Sequence, residues 1–83
     1  MIQIVYFARI REDVGAESEQ IDVESGTSIM MLIDQLAGQS KRHAAAFSDR
    51  SKLRFAVDQK MVRADVLLDG AIELAIFPPV TGG

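Results

Sequence analysis

The sequence predicts an α+β domain: a mixed sheet of four to five strands, one main helix packed across it, and a projecting C-terminal tail. Three observations predict it. Segments near both ends alternate in side-chain character with the two-residue period of a strand. Residues 29–37 carry apolar side chains at the i, i+3, i+4, i+7 spacing of an amphipathic helix. The chain then runs out through Phe77-Pro78-Pro79-Val80-Thr81-Gly82-Gly83, whose prolines cannot extend a paired strand. The domain is placed at residues 1–77 and the tail at 78–83.

Ile2 to Ile10 reads as the first strand, with Ile2, Ile4, Tyr6, Ala8 and Ile10 on one face and Val5 and Phe7 on the other. So continuous an apolar run suggests an inner strand. Arg11 to Ser18 reads as a connection, and Glu19 to Glu24 as a second, half-exposed strand around Ile21 and Val23. Ser25-Gly26-Thr27 interrupts the pattern, with Thr27 the expected helix N-cap. Ile29, Leu32, Ile33, Leu36 and Ala37 then form one apolar helical stripe, and Gly38 is a stop. Met30 and Met31 read as gap-filling or surface residues.

A shorter helical turn fits Lys41 to Phe47. Leu53, Phe55 and Val57 alternate as a third strand, and Lys60 to Arg63 fits a short edge strand. After the Asp69-Gly70 turn, Ile72, Leu74 and Ile76 alternate with Glu73, Ala75 and Phe77 in the last strand. The first and last strands are the most apolar and are expected side by side at the centre. They run parallel because a helical crossover separates them.

The tail is the least ordinary part of the chain. Glycine is about 7% of average residues, so a Gly-Gly end occurs by chance in roughly 0.5% of chains. Two prolines favour a stiff extended spacer, and two glycines make a thin tip with a sterically open carboxylate. At about 3.3–3.6 Å per residue the segment from Pro78 reaches roughly 20 Å. That layout suits chemistry on the carboxylate inside another protein's narrow site. A frayed terminus is the alternative that the glycines alone leave open.

Composition narrows the function classes. With 83 residues, 48% hydrophobic and 25% charged, the chain fits one globular domain. Its net charge is −3 and its nine basic residues are scattered, so nucleic acid is not an expected partner. There is no cysteine, which excludes disulfides, thiolate metal sites and a side-chain persulfide. The single histidine, His43, has no second histidine for a metal site and is expected solvated or partly packed on a helix. No membrane span or signal peptide is visible, and the cytoplasm is the expected location. No acid–base pair or nucleophile is evident, so an independent enzyme is not expected.

Phe7-Ala8-Arg9-Ile10-Arg11-Glu12, Val57-Asp58-Gln59, Leu68-Asp69-Gly70 and the Phe77-to-Gly83 tail together resemble the small-subunit family of molybdopterin synthase, ubiquitin-like sulfur carriers of β-grasp fold. The resemblance spans the chain, and the tail is its most specific part. It implies that an ATP-consuming, ubiquitin-activating-type enzyme adenylates the Gly83 carboxyl, and that sulfur from a donor protein then gives a thiocarboxylate. The tail would enter a large subunit, within a heterotetramer, and deliver sulfur to cyclic pyranopterin monophosphate. The chain itself would be a non-catalytic subunit holding no cofactor or metal.

In this reading Gly83 bears the sulfur, Gly82 allows passage through a tight channel, and Pro78, Pro79, Val80 and Thr81 line up along partner walls. Phe7 and Phe77 fall out of phase with the core and Met61 lies near the short edge strand; together they form a candidate partner patch, or else a second small core under a loop. Arg11 and Glu12 are either contacts to the activating partner, a local ion pair or part of a solvated loop. Two departures stand out: Asp58, where the family often has an amide, and Ala71, where it often has an acid. A carrier for thiazole synthesis and a ubiquitin-like modifier joined to lysines through Gly83 are the competing functions.

Overall fold

The structure is a computed structural model that describes residues 1–79. Its elements run β1 (Ile2–Tyr6), α1 (Ala8–Val14), β2 (Ser18–Ile21), α2 (Ile29–Ala37), α3 (Lys41–Ala46), a 3₁₀ turn (Arg50–Lys52), β3 (Arg54–Val57), β4 (Lys60–Val62) and β5 (Glu73–Phe77). One sheet of order β2-β1-β5-β3-β4 holds all five strands. β1 and β5 pair in parallel, Ile4 opposite Leu74 and Tyr6 opposite Ile76, and every other pairing is antiparallel. The two most apolar strands are therefore neighbours near the centre, as their composition requires.

α2 follows its sequence stripe: Ile29, Leu32, Ile33 and Leu36 are all fully buried. They meet Ile2, Ile4, Leu74 and Ile76 of the central strands and Phe47, Leu53 and Phe55 in one continuous core. The cap is Ser28 and not Thr27. Its Oγ accepts from the Met31 N–H at 3.2 Å, which satisfies one of the free donors of the first turn. Gly38 ends the helix as expected.

The first strand is shorter than its alternation suggests. It ends at Tyr6, and Ala8, at φ 51°, turns the chain into α1. The first half of the segment read as a connection, as far as Val14, is thus helical. Ile10 is buried through a helix, because Ile10 and Val14 lie four apart on its inner face. Gly15 closes α1 at φ 84°, its N–H donating to the Arg11 carbonyl at 2.9 Å. Arg42 reaches across from α3 to donate to the Glu12 and Asp13 carbonyls at 3.0 and 3.1 Å. Those are carbonyls that the end of a helix leaves without partners.

Two further differences follow from the same sheet. Ile72 precedes β5 and is 75% exposed, although its phase matches Leu74 and Ile76. β2 stops at Ile21, short of Glu24. The β3–β4 hairpin turns on Asp58 and Gln59 at φ 47° and 71°, the sign that a two-residue hairpin of right-handed twist demands.

Candidate functional site

The site is built where β1 and β5 end together. The Phe7 N–H donates to the Ile76 carbonyl at 3.1 Å, extending the parallel pairing one residue past β1. That bond fixes Phe7 beside Phe77, and their rings meet edge to face with centroids 6.4 Å apart and planes at 85°. Ala8 adopts a left-handed conformation, which costs a residue with a Cβ roughly 1 kcal/mol. Local strain of this kind persists only where the surroundings enforce it. Here it reverses the chain immediately after the ring.

The face of the sheet turned away from α2 carries a row across four strands. Register places Val5 opposite Ala75, Ala75 opposite Ala56, and Ala56 opposite Met61. The two alanines keep the middle low while Phe7, Phe77 and Met61 stand around them. Phe7 is 47% exposed and Met61 65%, large values for apolar side chains. Phe7, Ala56, Gln59, Glu73, Ala75 and Phe77 enclose a shallow concavity of about 620 Å³. The structure thus brings Phe7, Phe77 and Met61 to one open face, and no loop of the described residues makes a second core there.

The tail leaves from the end of β5. Pro78 and Pro79 are half-buried, and on the helical side they form one wall of a second hollow, of about 320 Å³, shared with α1, α3 and Leu53. Val80, Thr81, Gly82 and Gly83, expected to carry the chemistry and the channel contacts, lie outside the described residues. Arg11 and Glu12 are exposed on α1.

Beneath the site lies a polar cluster that alternation alone did not identify. Glu19 accepts from the Tyr6 hydroxyl at 2.7 Å and lies 2.7 Å from His43 Nε2, while Ser40 Oγ lies 2.7 Å from His43 Nδ1. Partial burial pushes the Glu19 carboxyl up, but hydrogen bonds from His43 and Tyr6 and the attraction of His43 outweigh it, holding the group below the usual carboxylate range. Burial, followed by the bond to Glu19 and its charge, pushes the Tyr6 hydroxyl well above its ordinary value. His43 is buried at 9% exposure on α3, packed on Tyr6 and Phe47, so of the two expectations the packed helical histidine holds and the solvated one does not. The available signal was Glu19 itself, a carboxylate sharing the phase of buried Ile21.

The departures have local explanations. Asp58 Oδ1 accepts from the Ile72 and Glu73 N–H groups at 3.0 and 2.9 Å, tying the hairpin to the start of β5. An amide oxygen could accept the same bonds. Ala71 packs half-buried against the core. Asp69 accepts from the Gly26 N–H and Ser25 Oγ, bonds that hold its carboxyl below the usual range and give it a turn-locking task.

Among the described residues, no group of three His, Asp or Glu side chains is arranged to hold a metal ion. No helix among them is long and apolar enough to cross a membrane.

The chain matches the ThiS family over residues 4–83. It is 41% identical over 83 residues to the molybdopterin synthase sulfur carrier subunit of Escherichia coli (strain K12), covering 100% of each chain. It is 30% identical to the protein of that name from Haemophilus influenzae, again covering 100% of each. Its fold is similar to the crystal structure of SAMP1 from Haloferax volcanii, with a TM-score of 0.75 at 23% identity, over 99% of this chain and 98% of that one. The five-stranded mixed sheet with its packed helix is accordingly a ubiquitin-like β-grasp.

Proposed function

This chain belongs to the ThiS family, and from that premise we infer that it is the sulfur carrier subunit of a molybdopterin synthase. The observation that carries the reading is the 41% identity to a protein of that role across the whole of both chains. The fold alone would not assign it. The geometry supports it: a rigid two-strand exit delivers the tail from beside an open apolar face, so docking the face aims the tail.

The chemistry follows from the residues. A carboxylate is a poor electrophile. Attack of the Gly83 carboxylate on the α-phosphate of ATP, with pyrophosphate leaving, gives an acyl adenylate. A persulfide sulfur of a donor protein then displaces AMP to give an acyl disulfide, and a thiol that attacks the donor's own sulfur breaks the S–S bond, leaving the thiocarboxylate on Gly83 and a disulfide on the donor side. The adenylating enzyme supplies the ATP site, and this chain holds no cofactor. Gly82 lets the tip pass walls that a Cβ would meet. The tail enters a large subunit, two of each chain forming a heterotetramer, and the sulfur passes to cyclic pyranopterin monophosphate.

The concave face has the character of a partner surface, with aromatic anchors around a small-residue floor and polar Gln59 and Glu73 at its margin. Phe7, Met61 and Phe77 are the contacts assigned to it, and Pro78 to Thr81 the segment gripped beyond it. The reconstitution that tests this mixes the sulfurated chain, the large subunit and cyclic pyranopterin monophosphate. The expected product is the dithiolene of molybdopterin. Sulfur delivered only to a thiazole-forming protein, or Gly83 found joined to lysines of other proteins, would assign one of the competing functions.

A further inference from the structure

Among the described residues, Glu73 is the one charged side chain lining the concavity of the open face. It is half-buried and shares the strand phase of Ala75 and Phe77. Four residues of β5 separate it from Phe77, about 13 Å at the rise of a strand, so it marks the end of the concavity away from the tail. Its neighbours in register are Gln3 on β1 and, towards β3, Asp58, whose N–H donates to the Glu73 carbonyl. Neither is a cation, and no ion pair among the described residues includes Glu73.

The cations of the molecule are placed elsewhere. Arg54 is at the tail end of the same face, opposite Phe77, its guanidinium donating to the Ser51 and Leu53 carbonyls. Arg63 lies beyond Met61, exposed and 3.8 Å from Asp65. Lys60 pairs with Val57, whose phase is that of the face packed under α2. Met1 lines a different hollow, together with Glu24 and Asp69.

This placement works against the fold. Like charges opposite one another on neighbouring strands destabilise a sheet, and a carboxylate withdrawn from water needs a partner. Asp58 has a local task, accepting from the Ile72 and Glu73 N–H groups at 3.0 and 2.9 Å, but that task needs an oxygen and not a charge. The Glu73 carboxylate has no comparable task. A protein that covers the concavity strips the remaining water from it, which is strongly unfavourable unless a cation arrives with the cover.

We propose that Glu73, with Asp58 beside it, receives a basic side chain of the large synthase subunit when the open face docks. The proposal rests on the carrier reading above, in which the large subunit is the protein that this chain joins as a subunit and whose site the tail enters. Charge complementarity selects the basic residue. Continuity places it, because Glu73 lines the same concavity as Phe7 and Phe77, the contacts already assigned. The two ends of the concavity then make unlike demands, aromatic packing at the tail end and a cation at the other.

The test measures the affinity of the full chain for the large subunit at low and high salt. Glu73→Gln removes the charge, keeps the shape, and should weaken the complex about tenfold at low salt, with Glu73→Lys weakening it about a hundredfold. Asp58→Asn, which keeps the acceptor oxygen, should weaken it about threefold. All three should flatten the salt dependence, whereas Phe77→Ala should weaken binding and leave that dependence intact. None of the three charge variants should lower the melting temperature, because the fold makes no use of either charge. Unchanged or tighter binding of Glu73→Lys, while Phe77→Ala weakens it, would overturn the proposal and leave the carrier reading standing. A loss confined to the adenylating enzyme, measured in a second arm, would also overturn it. So would a change in the mass of the isolated chain with Glu73→Lys, which would seat a second copy on the face. Failure of the unsubstituted chain to bind the large subunit would overturn the carrier reading itself.

Discussion

In the carrier reading proposed above, Phe77 is the residue on which recognition turns. It sits at the last position of β5, half-exposed, edge-on to Phe7 and one step from the prolines. Phe77→Ala should weaken association with the large subunit by about 2 kcal/mol or more, roughly thirtyfold, in a titration of the purified pair. The melting temperature should stay close to that of the parent, because the continuous core is made without this ring. A large loss of stability with unchanged affinity of the folded fraction would make Phe77 a core residue. Its outward phase was legible in the alternation of β5, and so was that of Phe7, which stays bonded to Ile76 one residue past the end of β1 and is 47% exposed. The Glu19–His43 contact was not legible, since it joins residues 24 apart through a fold that places α3 over β2. Tyr6→Phe, which removes one donor to that charged carboxylate, should cost about 1.5 kcal/mol. For a domain of this size that is a drop of roughly 6–12 °C in melting temperature, which a thermal scan would resolve.

At the scale of elements, α2 and the central pair of strands were readable because burial on one face imposes a period, and the period survives in sequence. α1 was not, because Ile10 satisfies both a two-residue and a four-residue spacing, and the left-handed turn at Ala8 falls on a residue with no sign of it. The clue lay further on: Gly15 at φ 84° ends a helix, and a Cβ there would come within 2.9 Å of the Arg42 guanidinium that caps it. Gly15→Ala should therefore destabilise the domain by about 1 kcal/mol or more, read from denaturant unfolding, through the left-handed backbone and a displaced Arg42. The tail is an element of the opposite kind, rich in function and poor in periodicity. Its prolines, glycines and length carried the reading. Removing Gly82 and Gly83 should abolish sulfur transfer while leaving the melting temperature unchanged, since the core is complete by Ile76.

Over the whole molecule, the fold acts as a rigid holder: β1 and β5 run parallel to one edge, the open face and the root hollow flank that edge, and the tail leaves between them. The buried polar cluster makes the holder acid-sensitive. Because the Glu19 carboxyl is held below its ordinary range in the folded state, its contribution is present above the unfolded value of about 4.3 and is lost as pH falls through the lower folded one. Asp49 and Asp69 shift in the same direction. Stability should thus decline below about pH 4.3, and Glu19→Gln should flatten that decline, in melting curves recorded across pH. The central claim is narrower and concerns one atom. Incubating the chain with the adenylating enzyme, ATP and a sulfur donor, then measuring its intact mass and fragments, tests it most directly. The account predicts replacement of one carboxyl oxygen of Gly83 by sulfur, and no reaction once an alanine is appended after Gly83. Sulfur located on any other residue, or full reaction of the extended chain, would contradict it.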